Sequence, residues 1–298
     1  RILRLLSDHL DGHYAIEREL GRGGMSTVYL AFDHRHGRRV AIKVLHPALT
    51  NPAAAERFHR EVRATAQLSH RHIIALYDSG EAGGILYYIM PYVEGESVAR
   101  RLERSGPFPW REAVRICAEV AEGLAYAHDA GVVHRDIKPG NILLTAGDHP
   151  CLADFGLLYA LRDVASARLT GSGIVLGSPL YMAPEQISGE HDVTGRSDVY
   201  ALACTLFEMV TGTPPFGGKS VEAVLTAHLS GRPSLPDDLG VGAPAAVADA
   251  VAEALSRSPE ERPDAAEFAR MLEGIIQGSA GGTPARQPAG RRRSGGTP

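Results

Sequence analysis

The apolar pattern of this 298-residue chain changes period once, near residue 93, and that change decides what it can fold into. From Tyr14 to about Tyr92 the apolar residues alternate in short, β-prone runs. "YAIEREL", "STVYLAFD" and "RRVAIKVL" come in succession, and "IIALYDSG" and "ILYYIMPYV" follow, joined through Gly83-Gly84. Alternation at a period of two gives each run one apolar face, the mark of a strand. One insertion departs from it. "PAAAERFHREVRATAQLS" has helical spacing that sets Ala55, Phe58, Val62 and Ala66 on one face.

From about Glu94 the helical period dominates. "WREAVRICAEVAEGLAYAHDAG" predicts a long helix closed by Gly131. "SDVYALACTLFEMVTG" is apolar almost all round, which predicts a central buried helix. "PAAVADAVAEALSR" and "DAAEFARMLEGIIQ" predict two more. The expectation is an α+β fold of two joined lobes. Residues 14–93 form a small β-rich lobe with one helix, and residues 94–277 a larger, mainly helical lobe. Residues 1–13 precede them as an extension. Residues 278–298 are Gly, Pro, Ser and Arg with almost no apolar content, and read as a disordered basic tail or linker.

Composition excludes several classes. At 44% hydrophobic the chain can bury a large core, and a net charge of -4 gives no reason to expect nucleic acid. Cys117, Cys151 and Cys204 are far apart, with no CxxC, so neither a disulfide framework nor a zinc site is expected. The 13 histidines are scattered, without HExxH, and read mostly as solvated surface groups. No signal peptide is visible, and no apolar run approaches the roughly 20 residues needed to span a bilayer. The expected location is therefore cytoplasmic. The chain begins at Arg1, not Met, and reads as part of something longer. The "RRRSGG" of the tail would bear on a membrane only through a spanning segment outside this chain.

The densest chemistry lies in "VVHRDIKPGNILL", Val132 to Leu144. Two β-prone runs flank charged and amide groups, which predicts a strand–turn–strand loop stiffened by Pro139. Asp136 offers a carboxylate that can accept a hydroxyl proton. Lys138 offers a cation beside a transferring phosphate, and Asn141 a neutral oxygen for a divalent metal. Phosphoryl transfer needs these three functions, because its catalysis is mostly positioning and charge stabilisation.

On these residues the chain from Tyr14 to about Gln277 resembles the protein kinase fold. "HRDIKPGN" in particular is similar to bacterial eukaryotic-type (Hanks-type) Ser/Thr kinases. The resemblance implies a bilobal kinase domain using ATP with Mg2+, or Mn2+ in its place. In "GRGGMSTVY", Gly21, Gly23 and Gly24 would let backbone N–H groups approach phosphates, with Ser26 at the third glycine of the usual pattern. Lys43 in "VAIKVL" would serve the phosphates and pair with a helix glutamate, Glu61 by helical spacing or Glu56 as its competitor. In "CLADFG", Asp154 would join Asn141 in holding the metal, with Gly156 allowing the next turn. Phe155 would pack under the helix of Glu61, in a column with His134, Leu76 and Thr65.

Adenine would lie between Val28 and Ala41 on one face and Leu143 on the other. Met90 would line the back, and the backbone of Pro91 and Val93 would meet the ring edge. Glu185 would pair with Arg262, and Asp198 would brace the catalytic loop. Ser178 would bond Asp136 and Lys138. Arg135 stands ready for a phosphate on the long loop after Asp154, where Thr170 and Ser172 are the candidate acceptors. The implied partners are proteins bearing Ser or Thr, and a second copy of the chain during autophosphorylation. A catalytically dead, nucleotide-binding scaffold is the alternative, but none of Lys43, Asp136 or Asp154 is missing. "GTPPFGGKS" imitates a P-loop, yet Thr213 stands where the first glycine belongs and the run follows a helix.

Overall fold

The computed structural model describes residues 6, 9–10, 12–47, 50–155, 178–189, 193–231 and 242–280. Five antiparallel strands come first: β1 (Tyr14–Arg22), β2 (Ser26–Asp33), β3 (Arg38–Leu45), β4 (Asp78–Ala82) and β5 (Ile85–Pro91). Their order across the sheet is β1-β2-β3-β5-β4. Period-two alternation sorts β3 and β5 between two apolar layers. Ala41, Leu45, Leu86, Tyr88 and Met90 pack against Ala54, Phe58 and Val62 of helix α1 (Pro52–Thr65). Val40, Ile42, Val44, Ile85, Tyr87 and Ile89 face the other way, where Leu6 and Leu10 of the N-terminal extension cover them.

Helix α1 starts on Asn51, whose side chain accepts the Ala54 N–H at 2.8 Å, with Pro52 in its first turn. Its buried stripe is Ala54, Phe58, Val62 and Thr65. This corrects the expected face by one residue at each end: Ala55 is half-buried and Ala66 exposed. The N-cap and the packing of Phe58 on the sheet fix the rotation, and Thr65 rather than Ala66 completes the i, i+4, i+8, i+11 row.

A short strand β6 (Gly95–Ser97) leads into helices α2 (Val98–Ser105) and α3 (Trp110–Asp129). After α3, Gly131 takes a left-handed φ of 75° and returns its N–H to His128 at 2.9 Å, the stop predicted for it. Strands β7 (Ile142–Thr145) and β8 (Pro150–Leu152) join β6 in a second, three-stranded sheet. Helices α4 (Pro184–Ser188), α5 (Gly195–Thr211), α6 (Val221–Ser230), α7 (Ala245–Ala254) and α8 (Ala265–Ala280) follow. Helix α5 buries 13 of its 17 residues among the others, as its uniformly apolar sequence requires. Among the described residues no helix is long and apolar enough to cross a membrane.

Three further expectations are corrected. Val132 and Val133 form no strand; their β-branched propensity yields to loop hydrogen bonds such as Val132 N–H to Ala127 O at 2.9 Å. In "IIALYDSG" the strand begins only at Asp78, because Ile73 and Ile74 are drawn toward β8, with Ile74 N–H to Leu152 O at 2.8 Å. His72 and His228 are buried exceptions among histidines read as mostly solvated, and His134 is buried, in line with the structural role expected of it. Burial pushes the His228 ring down to about 4, so it is neutral near pH 7, and its Nδ1 meets the Tyr200 hydroxyl at 2.8 Å. Helix α8 continues through Gly278, where the tail was expected to begin. Residues 281–298 lie outside the described residues.

Candidate active site

Lys43 sits on β3, opposite Val28 of β2 and Tyr88 of β5. It is buried, and a desolvated ammonium needs an anion. Asp154 supplies it, with Oδ2 2.6 Å from Nζ. Asp154 follows β8 in a left-handed conformation, φ 69°, unusual for a residue with a side chain and typical of functional sites. Its Oδ1 accepts a hydrogen bond from the Tyr88 hydroxyl. Burial works to raise the Asp154 pKa, but Lys43 and then Tyr88 outweigh it and hold the carboxyl below its ordinary value. Burial, and after it the charge of Asp154, drive the Tyr88 phenol well above its ordinary range.

The second cluster hangs from α5. Asp198 is buried, and accepts the N–H groups of His134 at 2.8 Å and Arg135 at 2.7 Å. It also meets His128 Nε2 at 2.8 Å. That brace holds Arg135 at φ 66° and aims the residues that follow. His134 spends both ring nitrogens inside the scaffold: Nε2 donates to Ala153 O at 2.9 Å and Nδ1 accepts the Asp136 N–H at 3.3 Å. It is therefore structural, and its ring packs at a tilt against that of buried Phe155, with centroids 4.6 Å apart. Thr65 is buried, and among the described residues its hydroxyl oxygen has no partner.

Asp136 Oδ2 accepts from Lys138 Nζ at 2.6 Å and from Asn141 Nδ2 at 3.1 Å. Asn141 Nδ2 also donates to the Asp136 carbonyl at 2.7 Å. Among the described residues Asp136 Oδ1 takes no hydrogen bond, which leaves it available to a hydroxyl proton. With its amide nitrogen engaged on Asp136, Asn141 has its amide oxygen left to offer. That neutral oxygen and the ionised Asp154 carboxylate are hard donors that fit Mg2+, which keeps waters and substrate oxygens for its other positions.

The glycine turn closes through Gly23 N–H to Ser26 O at 2.8 Å. A side chain at Gly21 or Gly24 would meet no protein atom, so the fold itself does not demand glycine there. What they leave clear is room for an incoming group. Ala41 pairs with Met90 across β3 and β5, and both are buried, while Val28, Pro91, Val93 and Leu143 are half-buried.

The structure separates one expected pair. Lys43 pairs with Asp154, and Glu61 instead lies 3.8 Å from the Arg135 guanidinium. The cause is local: Tyr88 stands between β5 and α1, its ring 6.3 Å from that of Phe58, and fixes Asp154 beside Lys43. Glu61, at the edge of the buried stripe, turns to the cation nearer the solvent. Glu56 is exposed and pairs with Arg60 at 3.5 Å. Ser178 lies beside Asp136 but forms no hydrogen bond to it or to Lys138 among the described residues. Gly156, Thr170 and Ser172 lie outside the described residues.

Tyr88 is the residue the sequence reading passed over. It shares a face with Met90 by period two and stands opposite Lys43. A hydroxyl on the inner face of an otherwise apolar strand was the available signal.

The scaffold bridge forms as expected. Arg262 meets Glu185 through two bonds, at 2.7 Å and 2.9 Å, and both residues are buried. The P-loop imitation follows α5 and its left-handed cap Gly212, and no strand precedes it.

Residues 14–271 match the family model described as a protein kinase domain. The serine/threonine-protein kinase PknB of Mycobacterium leprae is 38% identical over 93% of this chain and 44% of its own length. PknB of Mycolicibacterium smegmatis is 38% identical over 93% of this chain and 45% of its own. The serine/threonine-protein kinase PknD of Mycobacterium tuberculosis is 40% identical over 84% of this chain and 38% of its own. The chain thus spans less than half the length of these curated relatives.

Proposed function

Because this chain belongs to the protein kinase family, we propose that it transfers the γ-phosphoryl group of ATP to Ser or Thr hydroxyls of proteins. One observation carries the reading. Lys43 and Asp154, 111 residues apart, meet at 2.6 Å on a base shared with the Asp136–Lys138–Asn141 cluster, since His134 bonds both Ala153 and the Asp136 N–H.

Asp136 orients the acceptor hydroxyl and takes its proton through Oδ1. Lys138 offsets charge on the transferring group. Lys43 exchanges Asp154 for the nucleotide phosphates, and Glu61 leaves Arg135 to receive it after that exchange. Asp154 and Asn141 would hold the divalent cation, Mg2+ with Mn2+ as the alternative, which would supply positive charge to the phosphate oxygens. Gly21, Gly23 and Gly24 cover the phosphates. Val28, Ala41, Met90, Pro91, Val93 and Leu143 enclose the adenine.

The acceptors include the chain's own Thr170 or Ser172, or both, modified within a transient pair of copies. The domain works on the cytoplasmic side, and attachment to a membrane would come through a segment outside this chain.

The test is incorporation of label from γ-labelled ATP with Mg2+, into the chain itself and into an added Ser/Thr-rich protein. Wild type incorporates it and Asp136→Asn does not. Equal incorporation by both would overturn the assignment. Nucleotide binding without any incorporation by wild type would favour the scaffold alternative.

A further inference from the structure

We infer that Tyr88 is a positioning residue for the metal-binding carboxylate of Asp154; this rests on the reading of Asp154 given above. The two oxygens of Asp154 have different partners. Oδ2 is held by Lys43 and Oδ1 by the Tyr88 hydroxyl. These partners differ in kind. Lys43 reaches Asp154 on a flexible four-carbon stem, and its ammonium can follow a phosphate. Tyr88 cannot follow anything. Its backbone is paired on both sides, with Lys43 of β3 and Ser79 of β4, and its ring is buried against Phe58. The hydroxyl is therefore a fixed point.

The other inward residues of β5, Leu86 and Met90, are apolar, and a hydroxyl there gains nothing from packing. A buried phenol must donate to something, and Asp154 is what it meets. Asp154, for its part, sits on strained backbone, with φ 69°. Among the described residues its carboxylate takes hydrogen bonds from Lys43 and Tyr88 alone. When a nucleotide draws Lys43 away, the Tyr88 hydroxyl keeps the carboxylate oriented. Oδ1 is thus the anchored oxygen, and Oδ2, once Lys43 has left it, would be the one available to a divalent cation. Groups that orient a ligating carboxylate in this way commonly account for about 10- to 100-fold in metal affinity.

The experiment is calorimetric titration of the whole chain with ADP at a series of Mg2+ concentrations, for wild type, Tyr88→Phe and Tyr88→Leu. Both variants keep the strand filled and lose the hydroxyl, so agreement between them separates the hydroxyl from the ring. ADP binding without metal stays as in wild type. The Mg2+ midpoint for ADP binding rises about 10-fold in both variants. Saturating Mg2+ restores the wild-type kcat while the midpoint stays raised. An unchanged or lowered Mg2+ midpoint in either variant overturns the proposal. Asp154→Asn separates the two claims. It abolishes the Mg2+ response if Asp154 holds the metal. A wild-type Mg2+ response in Asp154→Asn removes the metal reading itself, whatever the Tyr88 variants do.

Discussion

Two buried ion pairs hold this molecule's key side chains, and they are built to opposite ends. At the Arg262–Glu185 bridge all five guanidinium N–H groups are engaged, by Glu185 Oε1 and Oε2 and by the carbonyls of Ser256, Arg196 and Arg257. Ser197 adds its hydroxyl to Glu185. The pair is closed, with no site left for an outsider. At Lys43–Asp154 the ammonium has three protons and, among the described residues, one hydrogen-bond partner. The first pair is complete without a ligand; the second becomes complete only with one. A fully satisfied buried pair fixes structure, whereas an incompletely satisfied one stores an affinity that a phosphate can claim.

The comparison predicts that injury to the open constellation costs activity, while injury to the closed pair costs stability. Asp136→Asn gives the largest effect. It removes the base, lowering phosphoryl transfer by about 10²- to 10⁴-fold, and leaves the urea unfolding midpoint in place. Arg262→Ala does the reverse. It strands a buried carboxylate and lowers the unfolding free energy by about 3–5 kcal/mol, read from urea denaturation. A variant still folded in low urea that kept its Mg-ADP affinity would sharpen the contrast, and one that lost affinity in step with stability would break it.

The pH dependence of the closed pair is smaller and has a definite sign. Burial pushes the Glu185 carboxyl up, but the bonds from Arg262 and Ser197 outweigh it and hold its pKa below the ordinary value of 4.5. Its contribution is therefore fully present above that ordinary value and fades as pH falls through the depressed one. The stability gap between wild type and Glu185→Gln should be constant near neutrality and narrow in acid. A gap that widened on acidification would reverse the assignment.

The smallest effect is expected at Thr65, whose buried hydroxyl oxygen has no partner among the described residues. Thr65→Val should stabilise the chain by about 1 kcal/mol, with the Mg2+ response unaltered.

What was legible in the sequence follows the same division. Asp136, Lys138 and Asn141 fall within six consecutive residues, so their proximity in space was given by their proximity in the chain. Lys43 was legible as a charge within an apolar strand, and Arg262–Glu185 through the resemblance. The partner of Lys43 was not. Choosing Asp154 over Glu61 depends on the rotation of α1 and on one hydroxyl of β5, and neither is encoded in local spacing. Val132–Val133 and Ile73–Ile74 were misread for a related reason. Strand propensity was correctly seen, but the hydrogen bonds that overrule it are set by the fold: Asp198 bracing the loop after Val133, and β8 drawing in Ile73 and Ile74.

The most direct measurement is a crystal structure of the chain with ADP and Mg2+. The account predicts that Lys43 Nζ leaves Asp154 for a phosphate oxygen, while Arg262 keeps both of its bonds to Glu185. Nucleotide bound with Lys43 still 2.6 Å from Asp154, or bound away from Lys43 altogether, would contradict it.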